Sequence, residues 1–338
     1  MSANPVPVEK RALVIGFLST VGDIEVLSQV ESRLRQRGLA YDVAPFVERV
    51  RAANSAWVDA RRVDPARYTH LIVVCGPFSE FLMRQQRDIY ARFANCVWIG
   101  VNLSMIDPTD RFDPFDALLE RDSAKGAKPD LSLLEPVARV PVVGLCLAGR
   151  QPEYGKRQRH GLAESRLRAL AQRHGAAVLD LDTKWPAWRN RQGTATPAQF
   201  ESLLARVDVL LTTRLHGTVL ALKNAVPVIA IDAIAGGDKV TQQARALGWP
   251  EVFDAETVSD AALDAALSRC LSPGAKAEAR AAAEAAMRQL DGFDAAFAAA
   301  FEAQAGKRSA ALGSPLSNEI RRRWILYRQG RKSRKGLE

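Results

Sequence analysis

Short apolar runs alternate with segments of helical periodicity along most of the chain, and this alternation constrains the fold more than any other feature. Each run holds five to eight residues bounded by polar residues, Gly or Pro, as expected of strands covered on both faces. Strands that alternate with helices form parallel sheets. The pattern therefore predicts an α/β fold. The runs lie at residues 12–17, 39–45, 70–75, 97–101, 140–147, 177–181, 207–211 and 226–231.

The alternation is lost once, over residues 106–140, where Asp, Pro and Lys are frequent. We interpret this stretch as irregular structure that closes a first domain, followed by a linker. The sequence then predicts Rossmann-like domains over residues 1–138 and 139–272. An alanine-rich segment at 273–306 is expected to be helical and to pack against the body, and a basic tail follows at 307–338.

Local signals place several helix ends. Asp23 is expected to cap a helix that Gly38 ends. Ser79 marks the start of another helix. Thr196 followed by Pro197 is typical of a helix start, with the hydroxyl as cap and the proline in the first turn.

The composition excludes several classes of protein. The net charge is +9, and residues 319–338 carry +6 of it, so the body is close to neutral and nucleic acid is not its expected ligand. No Cys-x-x-Cys pair occurs among the four cysteines, which we expect to be reduced and mostly in the core. No apolar run approaches the roughly 20 residues that span a bilayer, and the first residues lack a secretory signal. We expect a cytoplasmic protein.

The basic tail has two interpretations. Residues 319–338 contain eight basic and two acidic residues together with Trp324, Ile325, Leu326 and Tyr327. Such a segment suits the anionic inner face of a membrane, to which it would attach the protein peripherally. The alternative is a solvated chain end.

The stretch TTRLHGTVLALK holds the clearest candidate site. Arg214 and His216 follow a predicted strand and precede a predicted helix, so they fall at the carboxyl edge of a parallel sheet, where such folds bind ligands. The helix beginning near Gly217 favours an anion, and glycine permits close approach of a ligand. A guanidinium matches a carboxylate or phosphate, and an imidazole can exchange a proton. Alternatively, Arg214 pairs with a structural carboxylate and His216 bonds to the backbone.

This stretch resembles the carboxyl-terminal signature of the polysaccharide pyruvyl transferases. In that family an Arg-Leu-His stretch precedes a small-residue helix, a Val-Pro-Val strand and a lysine, here Lys239. Three other passages are similar to the family more loosely. They are STVGDIEVL with Gly22 and Asp23, LLERDSAKGAKPDLSLL with Arg121, Asp122, Ser123, Pro129 and Asp130, and PVVGLCLAGR ending in Arg150.

The resemblance implies two facing Rossmann-like domains of the GT-B type with a C-terminal helical extension. It also implies transfer of pyruvate from phosphoenolpyruvate, as co-substrate and without another cofactor, onto two sugar hydroxyls as a cyclic ketal. The acceptor would be a saccharide, either lipid-linked or an exopolysaccharide precursor, on the first domain. Arg214 and Arg150 would hold the donor on the second domain, with Gly217 beside it. His216 would protonate the methylene carbon.

Other candidate residues keep two interpretations each. Lys239 contacts the donor phosphate or carries ordinary surface charge. Asp23 bonds a sugar hydroxyl or caps its own helix. Trp185 and Trp188 stack on an acceptor sugar or anchor a loop in apolar surroundings. His160, in the basic stretch GKRQRHG, is expected to be solvated, and no histidine pair has metal-ligand spacing, so we predict no metal.

Two other functions remain open. One is a nucleotide-sugar glycosyltransferase of the same architecture, in which Asp232 would hold the donor ribose. The other is a non-catalytic relative with the same fold. The second is kept because the family usually has a run of glycines after the third strand, where this chain has CGPFSE.

Overall fold

The computed structural model describes residues 10–190 and 192–302. The chain divides into two compact units, one ending at Ala138 and the other beginning at Arg139. Each unit is built on a five-stranded parallel sheet with helices, which confirms the predicted α/β class. Over the described ranges, no helix combines the length and the apolar character needed to cross a bilayer.

The first unit places its main sheet in the order β2-β1-β3-β5-β7, beside a smaller sheet in the order β4-β6-β8-β9. Its strands are β1 Arg11–Gly16, β2 Ala40–Pro45, β3 His70–Val74, β4 Pro77–Phe78, β5 Val97–Val101, β6 Ser104–Met105, β7 Ala117–Leu119, β8 Asp122–Ser123 and β9 Gly126–Ala127. Its α-helices are α1 Val21–Gln36, α2 Glu48–Arg51, α3 Glu80–Gln85 and α4 Arg87–Tyr90, and short 3₁₀ turns include Leu131–Leu134.

The second unit has its sheet in the order β11-β10-β12-β13-β14, all parallel. Its strands are β10 Val142–Cys146, β11 Ala177–Leu181, β12 Val209–Thr212, β13 Val228–Asp232 and β14 Val252–Asp254. Its helices are α5 His160–Arg173, α6 Pro197–Leu204, α7 Leu215–Lys223, α8 Lys239–Ala246, α9 Asp260–Cys270, α10 Ala275–Arg288 and α11 Phe293–Phe301.

The apolar runs become the cores of the two sheets. Every residue of the central strands β12 and β13 is buried, which explains why those runs are continuous rather than alternating. The sheet of the first unit has a separate apolar cluster on each face, one of them built around α1. Three of the four cysteines, Cys75, Cys146 and Cys270, are buried as expected, and Cys96 is half-buried.

The helix caps follow the sequence with one correction. Thr20, not Asp23, caps α1: the Thr20 hydroxyl accepts from the Asp23 N–H, and the Asp23 carboxylate accepts from the Thr20 N–H, which is a capping box. Asp23 therefore supports its own helix from the third position. Ser79 caps α3, and Thr196 caps α6 with Pro197 in the first turn, as predicted.

The alanine-rich segment is helical, but only part of it packs as expected. Ala275 and Ala279 of α10 are buried against the second unit. The chain then turns, and α11 contains no buried residue, so the expectation that the whole segment packs against the body is wrong for α11. The basic tail at 307–338 lies outside the described residues.

Candidate active site at the carboxyl edge of the second sheet

Parallel strands bring their carboxyl ends to one edge of the sheet in the second unit. Strands β10, β11 and β12 are neighbours, and the residues that follow them are Leu147, Asp182 and Thr213. Arg214 follows Thr213 and stands immediately before α7. The structure therefore places the Arg-Leu-His stretch at the carboxyl edge of the sheet, as predicted.

Arg214 is held in position from both its backbone and its side chain. Its N–H donates to Thr212 Oγ1 at 3.0 Å, and its Nε donates to the Leu147 carbonyl at 2.7 Å. One terminal nitrogen donates to Asp182 Oδ1 at 3.2 Å. A guanidinium has five N–H donors. Two of them are used in these side-chain contacts, so three remain within the described part of the chain. The alternative that Arg214 pairs with a carboxylate is thus correct, yet it leaves the arginine able to bind an anion.

A small cavity adjoins this arginine. It has a volume of about 130 Å³ and is bordered by Ala148 and Gly149 of the loop after β10 and by Lys184 after β11. Its charged lining consists of three cations and three carboxylates, so the cavity is not simply cationic. They are Arg168, Lys184, Arg214, Glu164, Asp180 and Asp182.

His216 lies in the first turn of α7, two residues after Arg214, and is exposed. Its ring makes no hydrogen bond to any residue in the described ranges, so the alternative that it bonds to the backbone does not match the structure. An exposed imidazole beside a fixed guanidinium can exchange protons with a bound ligand.

Gly217 has a structural reason to lack a side chain. A Cβ at this position would collide with Thr212 Oγ1, because the first turn of α7 packs directly on the end of β12. Thr212 itself donates to the Cys146 carbonyl at 2.7 Å and accepts the Arg214 N–H. Gly217 therefore allows the helix to begin close to the strand, which is what positions Arg214. Its role in donor binding remains a prediction.

Asp232 is committed to the loop that follows β13. Its Oδ1 accepts from the Ile234 N–H at 3.1 Å, and its Oδ2 accepts from the N–H groups of Asp238 and Thr241 and from the Thr241 hydroxyl. The residue is 1% exposed. The carboxylate thus orders the loop and the start of α8, and it does not offer a free oxygen for a ribose.

Lys239 and His160 meet in the same region. Lys239 Nζ lies 5.4 Å from the centre of the Tyr154 ring, a cation–π contact. The expectation that His160 is solvated is wrong: both ring nitrogens are buried and find no hydrogen-bond partner among the described residues. Burial first, and the charge of Lys239 second, lower the pKa of His160. The basic sequence around it gives no sign of burial, because the loop after β13 approaches this region through a bond from the Arg159 N–H to the Ala233 carbonyl, two residues that are far apart in the chain.

The remaining donor and acceptor candidates are exposed. Arg150 lies in the loop after β10, exposed and without a hydrogen bond to a described residue. Trp185 is 68% exposed and Trp188 is 80% exposed, so the interpretation of a buried apolar anchor is wrong. Asn190 closes their loop by donating to the carbonyls of Lys184 and Thr194. Two indoles are therefore displayed to solvent.

The first unit has a polar cluster at the corresponding edge of its sheet. Arg121 donates to Asp122 Oδ2 at 2.7 Å and to Asp130 Oδ2 at 3.0 Å, and it also bonds Ser104. Asn102, which is buried, donates to the same oxygen of Asp130 at 2.9 Å. Burial alone would raise the pKa of Asp130, but donors that include the Ser132 N–H and Asn102 outweigh it and hold that pKa well below its usual range. Asn102 and Ser104 were missed in the sequence, because neither is part of a local motif.

Three turns at this edge have unusual backbone geometry. Leu18, Cys75 and Asn102 follow β1, β3 and β5 with φ angles of 50°, 62° and 56°. A left-handed conformation costs a non-glycine residue roughly 1–2 kcal/mol, and such residues cluster at functional sites. Asp23, the acceptor-side candidate, is half-buried nearby, with its carbonyl 3.8 Å from Cys75 Sγ.

A cavity of about 660 Å³ lies in the first unit and not beside Arg214. It runs across the sheet face that carries α1. Its floor is apolar, and Lys10, Arg33 and Arg37 at its rim have no carboxylate partner in the part of the chain that the structure describes. The apolar residues of the lining are Ala12, Val30, Leu34, Leu39, Ile72, Ile99, Val101, Leu119 and Leu131.

The fold and this edge define an α/β protein with a candidate anion site, and the comparison with known families is more specific. Residues 156–233 match the model of the polysaccharide pyruvyl transferase family, which confirms the resemblance for that stretch and indicates a transferase. The matched stretch lies within the second unit and includes His160, Arg214 and His216. The first unit lies outside it.

Other comparisons are more distant. No curated protein matches the chain. Among solved structures, spinosyn rhamnosyltransferase SpnG with thymidine diphosphate is 11% identical, with 82% of this chain and 96% of that chain covered and a TM-score of 0.29. UDP-GlcNAc 2-epimerase from Methanocaldococcus jannaschii is 10% identical, with 78% and 93% covered and a TM-score of 0.28. Similarities at this level carry no inference about ligands, and the facing arrangement of two domains stays a prediction.

Proposed function

We propose that the protein transfers pyruvate from phosphoenolpyruvate to a saccharide and forms a cyclic ketal. The observation that carries the proposal is the sequence proximity of two residues. Arg214 is fixed at the sheet edge and keeps three donors that no described residue uses, and His216, two residues later, is exposed. Both residues fall within the stretch that matches the pyruvyl transferase family.

Donor binding follows from the geometry of Arg214. Its bonds to the Leu147 carbonyl and Asp182 fix the plane of the guanidinium before the donor arrives, so little side-chain entropy is lost on binding. The unused N–H groups then bind the carboxylate or phosphate of phosphoenolpyruvate. Arg150, in the loop after β10, and Lys239, the first residue of α8, are the second cations in this proposal.

The chemical step needs a proton at carbon and an electrophile beside it. His216 delivers a proton to the methylene carbon, which becomes the methyl group, and a sugar hydroxyl forms a bond to the adjacent carbon. The second hydroxyl then displaces phosphate from that carbon and closes the ketal. One hydroxyl proton restores His216, and the other leaves with phosphate. The anionic groups of the bound donor stabilise the imidazolium that delivers this proton.

A saccharide acceptor is supported by Trp185 and Trp188. Each exposed indole can stack its apolar face on the C–H face of a sugar ring. The cavity of about 660 Å³ in the first unit supports the lipid-linked class of acceptor, because its apolar floor suits a hydrocarbon chain. Lys10, Arg33 and Arg37, which have no carboxylate partner among the described residues, suit a phosphate.

The test uses the purified full chain with phosphoenolpyruvate and a set of free and lipid-linked saccharides. We expect phosphoenolpyruvate to raise the melting temperature and inorganic phosphate to be released only when an acceptor is present. Uridine and thymidine diphosphosugars are the matched controls and should leave the melting temperature unchanged. Stabilisation by a diphosphosugar, with none by phosphoenolpyruvate, would contradict the proposal and support the glycosyltransferase alternative.

A further inference from the structure

A row of large apolar side chains is exposed at the end of the described chain. Met287, Leu290, Phe293, Phe297 and Phe301 are between 54% and 75% exposed. The three phenylalanines recur every four residues and so lie on one side of α11, where their rings contact each other with centroid distances of 5.8 and 5.1 Å. We call these three residues the Phe stripe.

Helix α11 has too little support to be stable in water by itself. It spans nine residues, none of them buried, whereas isolated helices shorter than about 12–15 residues are marginal even with favourable sequences. By contrast, α10 is fixed to the second unit through Ala275 and Ala279. A short helix with an apolar stripe and no packed face requires a further surface against which the stripe is buried.

Two surfaces could bury the Phe stripe, a second copy of the chain or a lipid surface, and the charge of the sequence after α11 favours the lipid surface. The sequence that follows α11 ends in residues 319–338, with eight basic and two acidic residues. Two copies of the chain joined through their Phe stripes would hold two such basic segments in one assembly, and like charges repel. An anionic lipid surface instead attracts that segment while it accepts the phenylalanines.

We propose that the Phe stripe of α11 is the element that inserts this protein into an anionic membrane surface. The phenylalanines supply apolar burial at the level of the lipid headgroups, and the basic segment after α11 supplies the attraction. Asp294 lies next to Phe293 at the margin of the stripe, so α11 contributes apolar contact and no attraction of its own. The inference does not depend on pyruvyl transfer, because lipid binding is measured without donor or acceptor.

The experiment measures co-sedimentation of the full chain with vesicles of phosphatidylglycerol mixed with phosphatidylcholine, and with vesicles of phosphatidylcholine alone. We expect binding to the anionic vesicles only, and weakening with added salt. The double variant Phe297→Ser with Phe301→Ser should bind about tenfold more weakly or worse. Both side chains are exposed, so its melting temperature should match that of the wild type.

The matched control is Phe81→Ser, since Phe81 is 67% exposed but belongs to the first unit. It should bind anionic vesicles like the wild type. Three results would each overturn the proposal: unchanged binding of the double variant, equal binding to both kinds of vesicle, or a self-associating protein in lipid-free sedimentation whose association the double variant abolishes. The third result would assign the stripe to a contact between copies.

Discussion

Arg121 in the first unit and Arg214 in the second lie at comparable places, each shortly after the carboxyl end of a strand in a parallel sheet. Two carboxylates, Asp122 and Asp130, and a hydroxyl surround Arg121. Arg214 has a single carboxylate partner and a carbonyl. Among the described residues Arg121 uses three of its five N–H donors and Arg214 uses two, so the larger difference is in charge: two carboxylates neutralise Arg121 and one carboxylate neutralises Arg214. The guanidinium with fewer carboxylate partners is the better candidate to bind an anionic ligand.

The same difference extends to the neighbouring residues. Next to Arg121, the hydrogen bond from the arginine and then that from Ser104 lower the pKa of Asp122, so the cluster is a closed network of paired charges. Next to Arg214, the exposed His216 has no hydrogen-bond partner in the described ranges. Under the proposed function the reacting groups belong to the second unit, whereas the edge of the first unit is a hydrogen-bonded network of its own.

The largest effect is expected at His216. The change His216→Gln removes the proton donor and should lower kcat by about 10²–10⁴-fold while KM for phosphoenolpyruvate changes little. The measurement is steady-state phosphate release over a range of pH. His174→Gln is the control, because His174 lies at the end of α5 and bonds Asp264 at 3.0 Å. Near-normal turnover of His216→Gln, with the pH profile of the wild type, would exclude the proposed role.

The second prediction compares the same substitution at Arg214 and at Arg121. Arg214→Lys keeps the charge but loses the fork, and should raise KM for phosphoenolpyruvate by about 10–100-fold. Arg121→Lys should leave KM nearly unchanged and instead lower the free energy of unfolding by about 1 kcal/mol, since its half-buried partners lose part of their hydrogen bonding. Initial rates and thermal melts of both variants measure the two quantities. If Arg121→Lys changed KM as much as Arg214→Lys, the contrast between the two edges would be wrong.

The sequence was a sufficient guide where the determining contacts are local. The continuous runs gave the strands of both sheets, because strands covered on both faces are apolar throughout. Thr196 with Gln199, three residues apart, gave the start of α6. The prediction that Asp23 is the cap of α1 is wrong by three residues. In a capping box two side chains share the cap, and here Thr20 is the cap residue and Asp23 bonds back to it.

Long-range contacts account for what the sequence could not give. Asp182 is 32 residues from Arg214, and nothing in the local pattern selects it as the partner. The basic sequence around His160 does not signal that its ring nitrogens are buried. The alanine-rich composition likewise does not signal that α11 is exposed. Gly217 is required by a collision with Thr212 across the strand-to-helix turn, which the local pattern does not show, and its role in donor binding stays a prediction.

The smallest effect concerns His160 and the pH dependence of stability. Burial, and then the charge of Lys239, lower its pKa below the ordinary value of 6.5; Arg214 acts in the same direction, while Asp232 and Glu153 oppose it. The unfolded chain therefore binds this proton more readily than the folded chain. Its contribution to stability is present above pH 6.5 and is lost as the pH falls below that value toward the lowered pKa.

The change His160→Leu removes that titration and keeps an apolar volume in the half-buried site. Relative to wild type, the variant should become more stable as the pH falls from about 7 to about 5, by less than about 1 kcal/mol. Urea unfolding at several pH values measures the difference. His70 titrates similarly in the first unit, where burial and then Lys10 lower its pKa, but it is present in both proteins and does not affect the comparison. A constant difference between the two proteins across this range would mean that His160 takes up its proton as readily in the folded chain as in the unfolded one, despite the burial of both its ring nitrogens.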